Sequence, residues 1–168
     1  ITEIVSLTNN LKQPISLFSK IHSSTQKEYI SSNNVTFEGL DFVTSLLNSK
    51  NLKATFICDR GYDSNKIFNY FFSHNQYFVI RLTEKRNIYC KNKKKKITHL
   101  RDRCKGKLKF SISLKGEKKE CNVSVIKAKI TASKRWINIF LIYGLSDTPM
   151  MLASNIPIKS KEDVLKIA

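Results

Sequence analysis

The sequence contains few of the residues that build metal clusters, disulfide scaffolds or membrane spans. Its 168 residues include four cysteines and three histidines, and no Cys-x-x-Cys pair is present, which argues against a zinc site. Cys58 lies in an apolar run, so we interpret the cysteines as reduced thiols of a cytosolic protein. No apolar run approaches the roughly 20 residues that cross a bilayer, and no secretion signal is visible. These absences predict a soluble, cytoplasmic protein without a membrane partner.

Acidic residues are also scarce. Thirteen Asp and Glu stand against 30 Lys and Arg, which gives a net charge of +17 and indicates a polyanionic partner. Residues 85–135 contain 15 lysines and four arginines but three acids. A solubilising face is one interpretation of the run Lys93–Lys96. The local charge excess favours DNA instead, because each contacted phosphate releases counterions.

Periodicity predicts the order β-β-α-β-α-β for the first half of the chain. Apolar runs at 1–7 and 13–18 predict a hairpin with a turn at 8–10. The next segment is polar and irregular as far as residue 35. Apolar residues at helical spacing then predict a helix over 37–49, capped by Thr36.

Two further strands and a helix follow. Ala54–Cys58 is small, β-branched or aromatic, which predicts a strand covered on both faces. A helix is expected over 65–73 with Ser64 as its cap, and a strand over Tyr77–Leu82. Near the end of the chain, Ser160–Asp163 has the pattern that opens a helix.

Residues 86–150 show a different pattern, which predicts an antiparallel β-rich insertion. Short alternating segments at 107–114 and 122–130 are separated by a turn at 115–117. We expect the run Lys91–Lys96 to lie in a solvated loop of this insertion, and Trp136 to anchor its core.

The most informative stretch is 54–63, where an apolar run stops abruptly at Asp59 and a turn glycine, Gly61, follows. Open α/β sheets bind ligands and metals at the carboxyl ends of such strands. A carboxylate in this position can instead cap the turn into the next helix. Both interpretations of Asp59 are open on this segment alone.

A second segment extends the pattern. The order Asp59-Arg-Gly-Tyr-Asp63, then the strand Tyr77–Leu82 with Arg81 near its end, resembles the region around the second catalytic aspartate of DDE-type insertion-sequence transposases. The resemblance is to the subgroup with a tyrosine-arginine-glutamate-lysine motif. It covers about 53–86 and, again, 151–168.

The resemblance implies a partial RNase H-like α/β catalytic core. We expect this core to occupy 1–85, a basic β-rich insertion to interrupt it at 86–150, and 151–168 to return to the core. The last segment would begin the helix that leads to the family's glutamate. The whole enzyme would cleave DNA at transposon ends and transfer the strand to target DNA.

The resemblance also implies the site residues. Asp59 would be the second of three catalytic acids and would bind magnesium in a two-metal site. The first acid would precede Ile1 and the third would follow Ala168, so we expect an internal piece of the domain that is inactive alone. Glu162 and Asp163 are assigned to the helix start, where carboxylates favour the helix dipole.

Arg81 and Arg60 have two interpretations each, whereas Asp63 and the lysine run have one here. Arg81 is either a phosphate clamp near the transposon end or an ion-pair partner of Asp59 or Asp63. Arg60 is either a DNA contact or solvated, and Asp63 is assigned to the turn and helix cap rather than to a metal. Lys93, Lys94, Lys95 and Lys96 are expected to bind DNA.

Two classes of protein fit these features. The first is a transposase that acts on double-stranded DNA in the bacterial cytosol, near the nucleoid, and works as a homodimer. The second is a degenerate RNase H-like module that keeps the basic surface and binds DNA without catalysis.

Overall fold

The computed structural model describes residues 1–7, 13–25, 27, 29–114 and 116–168. The chain divides into two compact units, Ile1–Lys53 and Ala54–Ala168. None of the helices in the described ranges is both long enough and apolar enough to cross a bilayer.

The first unit is a hairpin and one helix. Strands β1 (Thr2–Ser6) and β2 (Ile15–Lys20) pair antiparallel, which confirms the predicted hairpin, although its turn at 8–10 lies outside the described residues. Helix α1 spans Ser32–Ser49. It begins before the predicted Phe37 because Ser31, rather than Thr36, caps it by accepting a hydrogen bond from the Asn34 N–H.

The second unit contains eight strands and three α-helices among its described residues. Its elements are β3 (Thr55–Cys58), α2 (Asn65–Ser73), β4 (Tyr77–Arg81), β5 (Asn87–Cys90), β6 (Lys93–Lys96), α3 (Ile97–Arg103), β7 (Leu108–Leu114), β8 (Glu117–Ile130), β9 (Trp136–Tyr143), β10 (Met150–Ser154) and α4 (Lys161–Ile167). The predicted strands around 54–58, 77–82, 107–114 and 122–130 and the helix over 65–73 are confirmed. Helix α3 and the hairpin of β5 and β6 were not predicted.

All the strands of the second unit join one mixed sheet. Their order is β3-β4-β10-β9-β8-β5-β6, and β7 pairs with the first half of β8. Strands β3 and β4 are parallel and the other pairs are antiparallel. This arrangement confirms the α/β fold class, which is consistent with an RNase H-like domain. The boundaries at 85 and 150 stay a prediction.

The two faces of this sheet are covered by different helices. On one, called the α4 face, Phe140 and Leu152 pack in a cluster with Val164 of α4. On the other, called the α2 face, the Phe78 ring lies 5.3 Å from Phe68 and 5.8 Å from Phe71, measured between centroids. Alternate residues of each strand therefore belong to opposite faces.

Three further sequence predictions are wrong. Strand β3 is not covered on both faces: within the described residues it pairs with β4 alone, and Ile57 is 75 % exposed. Lys93–Lys96 is not a loop but the edge strand β6. Edge strands commonly carry lysine, and four consecutive lysines have no apolar alternation that would reveal a strand. Trp136 is not a core anchor, because it is 55 % exposed at the start of β9.

Candidate active site

Asp59 and Arg81 lie side by side at the carboxyl ends of two parallel strands. The parallel register pairs Cys58 with Ile80, so the next residue of each strand, Asp59 or Arg81, lies at the same edge of the sheet. Asp59 leaves β3 and opens a short 3-10 turn, Arg60–Tyr62. The sheet topology thus brings an acid and a base together, as the sequence pattern predicted.

The Asp59 carboxylate caps this turn. One oxygen, Oδ1, accepts a hydrogen bond from the Arg60 N–H at 2.6 Å, and the residue remains exposed. The capping interpretation is therefore correct for one of the two carboxylate oxygens. It leaves the second carboxylate oxygen available, because a cap uses one acceptor.

A cavity of about 610 Å³ opens beside these residues, between the sheet and α4. Its polar lining consists of Asp59, Arg81, Asp163 and Lys166. The rest of the lining is mainly apolar: Thr55, Ile57, Cys58, Val79, Met150, Leu152, Ile156 and Ile167. Two basic side chains and an apolar wall suit a phosphate-bearing ligand held next to a carboxylate.

Arg81 is not tied up in an ion pair. Within the described residues its guanidinium forms no salt bridge, so of the two interpretations left open, the ion pair with Asp59 or Asp63 is not formed. It is partly buried and lines the cavity, whereas Arg60 is exposed on the turn. The guanidinium of Arg81 therefore keeps its donors for a ligand.

Asp63 has a structural role. Its side chain is 1 % exposed and forms a salt bridge with Arg86 at 2.6 Å. Its Oδ2 also accepts hydrogen bonds from the Thr83 N–H at 2.8 Å and the Thr83 hydroxyl at 2.9 Å. Ser64, not Asp63, caps α2. Asp63 thus joins the start of α2 to the chain beyond β4, and its oxygens are committed.

Arg86 was missed by the sequence analysis. It bonds Asp63 through Nε at 2.7 Å, the Asp63 carbonyl through Nη2 at 2.8 Å and the Asn65 amide oxygen through Nη1 at 2.7 Å. Its partners lie more than 20 residues earlier, and no local spacing rule connects them. The one available signal in the sequence was an arginine shortly after the apolar strand predicted at Tyr77–Leu82.

Asp163 is a helix-capping residue, as predicted. Its Oδ2 accepts hydrogen bonds from the N–H groups of Lys159 and Ser160, and the Ser160 hydroxyl accepts from the Asp163 N–H. These two backbone donors hold the pKa of Asp163 below its usual value. Glu162 lies in the same first turn.

The described residues do not by themselves fit a two-metal site. No cluster of three or more His, Cys, Asp or Glu that could hold a metal ion occurs among them. Asp59 brings one carboxylate to the cavity, while Asp63 and Asp163 are occupied by the bonds above. Cys58 is no substitute, because burial raises the pKa of its thiol to about 12 and keeps it protonated.

The four lysines of β6 do not form a single surface. Lys94 pairs with Tyr89 and Lys96 with Asn87, while Lys93 and Lys95 pair with the buried Cys90 and Ile88. Because side chains alternate along a strand, Lys94 and Lys96 lie on the α4 face and the other two on the α2 face. The predicted DNA contacts are thus divided between two sides of the sheet.

One comparison with known proteins found a match to most of the chain. A family model described as "Transposase DDE domain" matches residues 36–155, which is well over half of the chain and includes β3, α2, β4 and the β-rich segment. No curated protein matches the chain.

Proposed function

Because the chain belongs to the transposase DDE domain family, we propose that it is part of a transposase catalytic domain that cleaves DNA at transposon ends and transfers the strand to target DNA. The observation that carries the proposal is Asp59, an exposed carboxylate at the carboxyl end of β3. It lies beside Arg81, which has no ion-pair partner among the described residues, and beside a cavity of about 610 Å³. Strand exchange on DNA requires acids and phosphate-binding groups in this kind of arrangement.

We assign Asp59 as one of three catalytic acids. Its free carboxylate oxygen would be a ligand for a divalent cation, and Mg²⁺ is the ion that carboxylates and phosphates jointly favour. The other two acids would come from outside the described residues, in the subgroup pattern that ends in tyrosine, arginine, glutamate and lysine. Arg81 would hold a phosphate at the transposon end, and Arg60 would contact the DNA backbone.

The proposal extends to the arrangement of the whole enzyme. We propose that 1–85 and 151–168 belong to the RNase H-like core and that 86–150 is its basic insertion. Two copies would act together on a pair of transposon ends, in the bacterial cytosol and near the nucleoid. A non-catalytic DNA-binding module is the second candidate, which is favoured by the charge excess of 85–135 without any need for Asp59.

We expect these 168 residues to bind duplex DNA with little sequence preference. The charge excess is concentrated in one segment, and phosphate contacts carry no base information. Binding constants measured against salt concentration should fall steadily, and replacing Lys93–Lys96 by Gln should reduce the slope by roughly 0.9 per lost phosphate contact. An affinity independent of salt would contradict the proposed DNA partner.

We expect the same polypeptide to show no magnesium-dependent strand transfer. One free carboxylate cannot hold two ions in the geometry that an in-line displacement requires. The assay incubates purified protein with a labelled transposon end and a target plasmid in Mg²⁺. Detectable joined products would show that these residues complete an active site without further acids.

A further inference from the structure

A row of alternating aromatic and basic side chains crosses four strands on the α4 face. Trp136 of β9 pairs with Lys129 of β8, Lys129 pairs with Tyr89 of β5, and Tyr89 pairs with Lys94 of β6. Cross-strand partners lie on the same face, so these four side chains, here called the basic–aromatic row, form one continuous surface strip.

The rings of this row lie outside the core, and lysine ammonium groups lie close to their faces. Trp136 is 55 % exposed, and the Nζ atoms of Lys129 and Lys127 lie 4.6 Å and 5.5 Å from its ring centroid. Lys134 Nζ lies 3.4 Å from the centroid of the Tyr89 ring. The hydrogen bond and charge of Lys134 lower the pKa of the Tyr89 phenol. Because Trp136 is more than half exposed, its indole is a large apolar surface that the fold leaves outside its core.

Acidic residues are absent from the segments that form the row. Residues 87–96 and 127–136 together contain nine Lys and Arg and no Asp or Glu. Cations placed so close together repel each other unless an anion neutralises them. The row therefore suits an extended polyanion that also offers flat apolar groups.

We propose that the basic–aromatic row binds a segment of single-stranded DNA, with unpaired bases stacked on Trp136 and Tyr89 and phosphates held by Lys94 and Lys129. A base stack is stronger than an exposed cation–π contact, so an arriving base displaces an ammonium group from the ring. The displaced lysine then remains within reach of the neighbouring phosphate.

The Trp136 and Tyr89 rings are the reason for proposing unpaired rather than duplex DNA. Bases inside a duplex are stacked on each other and cannot lie on a flat sheet surface, whereas unpaired bases can. A duplex would use the lysines alone. This inference is independent of Asp59, so it holds or fails separately from the proposed catalytic role.

The chain carries its own reporter, because Trp136 is its single tryptophan. We expect a short oligo(dT) strand to quench the fluorescence of the full chain in a saturable, salt-sensitive titration. A hairpin-free duplex of the same length should bind through the lysines with little quenching. Equal quenching by duplex and single strand would overturn the proposed occupant.

Variants then separate stacking from charge. Trp136→Ala should weaken oligo(dT) binding by about 5- to 150-fold, as expected for loss of one base stack, while Trp136→Phe should recover part of the affinity. Lys129→Gln should weaken binding and reduce the salt slope by roughly 0.7, the value for one phosphate contact on a single strand. Fluorescence anisotropy of a labelled strand measures all of them.

Lys118→Gln is the matched control, because it removes the same charge from an exposed residue in the part of β8 that pairs with β7, away from the basic–aromatic row. It should bind oligo(dT) almost as the parent does, whereas Lys94→Gln should not. Equal losses in the two variants, unchanged binding by Trp136→Ala, or binding without quenching would each overturn the proposal. Lys129→Gln and the quenching titration keep the test valid even where Trp136→Ala does not fold.

Discussion

Asp59→Asn in the whole transposase is expected to reduce end cleavage and strand transfer by several orders of magnitude, with DNA binding and melting temperature nearly unchanged. The substitution removes the negative charge that a divalent cation requires. It keeps the amide oxygen that can accept the Arg60 N–H, so the cap of the 3-10 turn is preserved. Cleavage of a linear transposon end in Mg²⁺, beside a thermal melt, measures both effects.

Two further variants show which role of Asp59 is responsible. Asp59→Ala removes the cap as well and should lower the free energy of unfolding by about 0.5–2 kcal/mol. Asp147→Asn removes one negative charge from an exposed residue outside the cavity and should leave cleavage at the parental rate. An active Asp59→Asn enzyme would support the non-catalytic DNA-binding module instead.

The second large effect is expected at Arg86. Arg86→Met leaves the Asp63 carboxylate, which is 1 % exposed, without its cation. Loss of one partner of a buried pair typically costs about 3–5 kcal/mol of unfolding free energy. Methionine keeps much of the apolar stem and removes the guanidinium, whose central carbon lies 5.2 Å from the Phe68 ring centroid, so the loss reflects charge rather than volume. Urea unfolding of the purified chain provides the measurement.

Arg101→Met is the control, since Arg101 also forms two salt bridges, but to Glu84 and Asp102 side chains that are 60 % and 62 % exposed. Solvent-exposed pairs contribute up to about 1 kcal/mol. The double variant Asp63→Asn/Arg86→Met should regain part of the loss, because it also removes the buried charge. Similar losses for Arg86→Met and Arg101→Met would mean that burial of Asp63 does not matter.

The sequence by itself determined the features that depend on neighbouring residues. The hydroxyl of Ser64 caps α2 where the helical spacing begins, and Ser160 with Asp163 opens α4 through a capping box. Asp59 ends an apolar run on a turn, and its order with Arg81 is enough to indicate the family. The charge excess of 85–135 is likewise a count. Each of these signals is read from residue order or composition alone and needs no contact between distant segments.

Tertiary structure decided what depends on contacts between distant segments. Asp63 reaches Arg86 because α2 returns the chain to β4, and no spacing in the sequence encodes that meeting. Four consecutive lysines have no apolar alternation, so only pairing with β5 makes them a strand and sends Lys93 and Lys94 to opposite faces. Trp136 is exposed because its position in the register lies beside Lys129, beyond the part of the sheet that packs on α4. Pairing between distant strands fixes register, and register decides which side chains share a face.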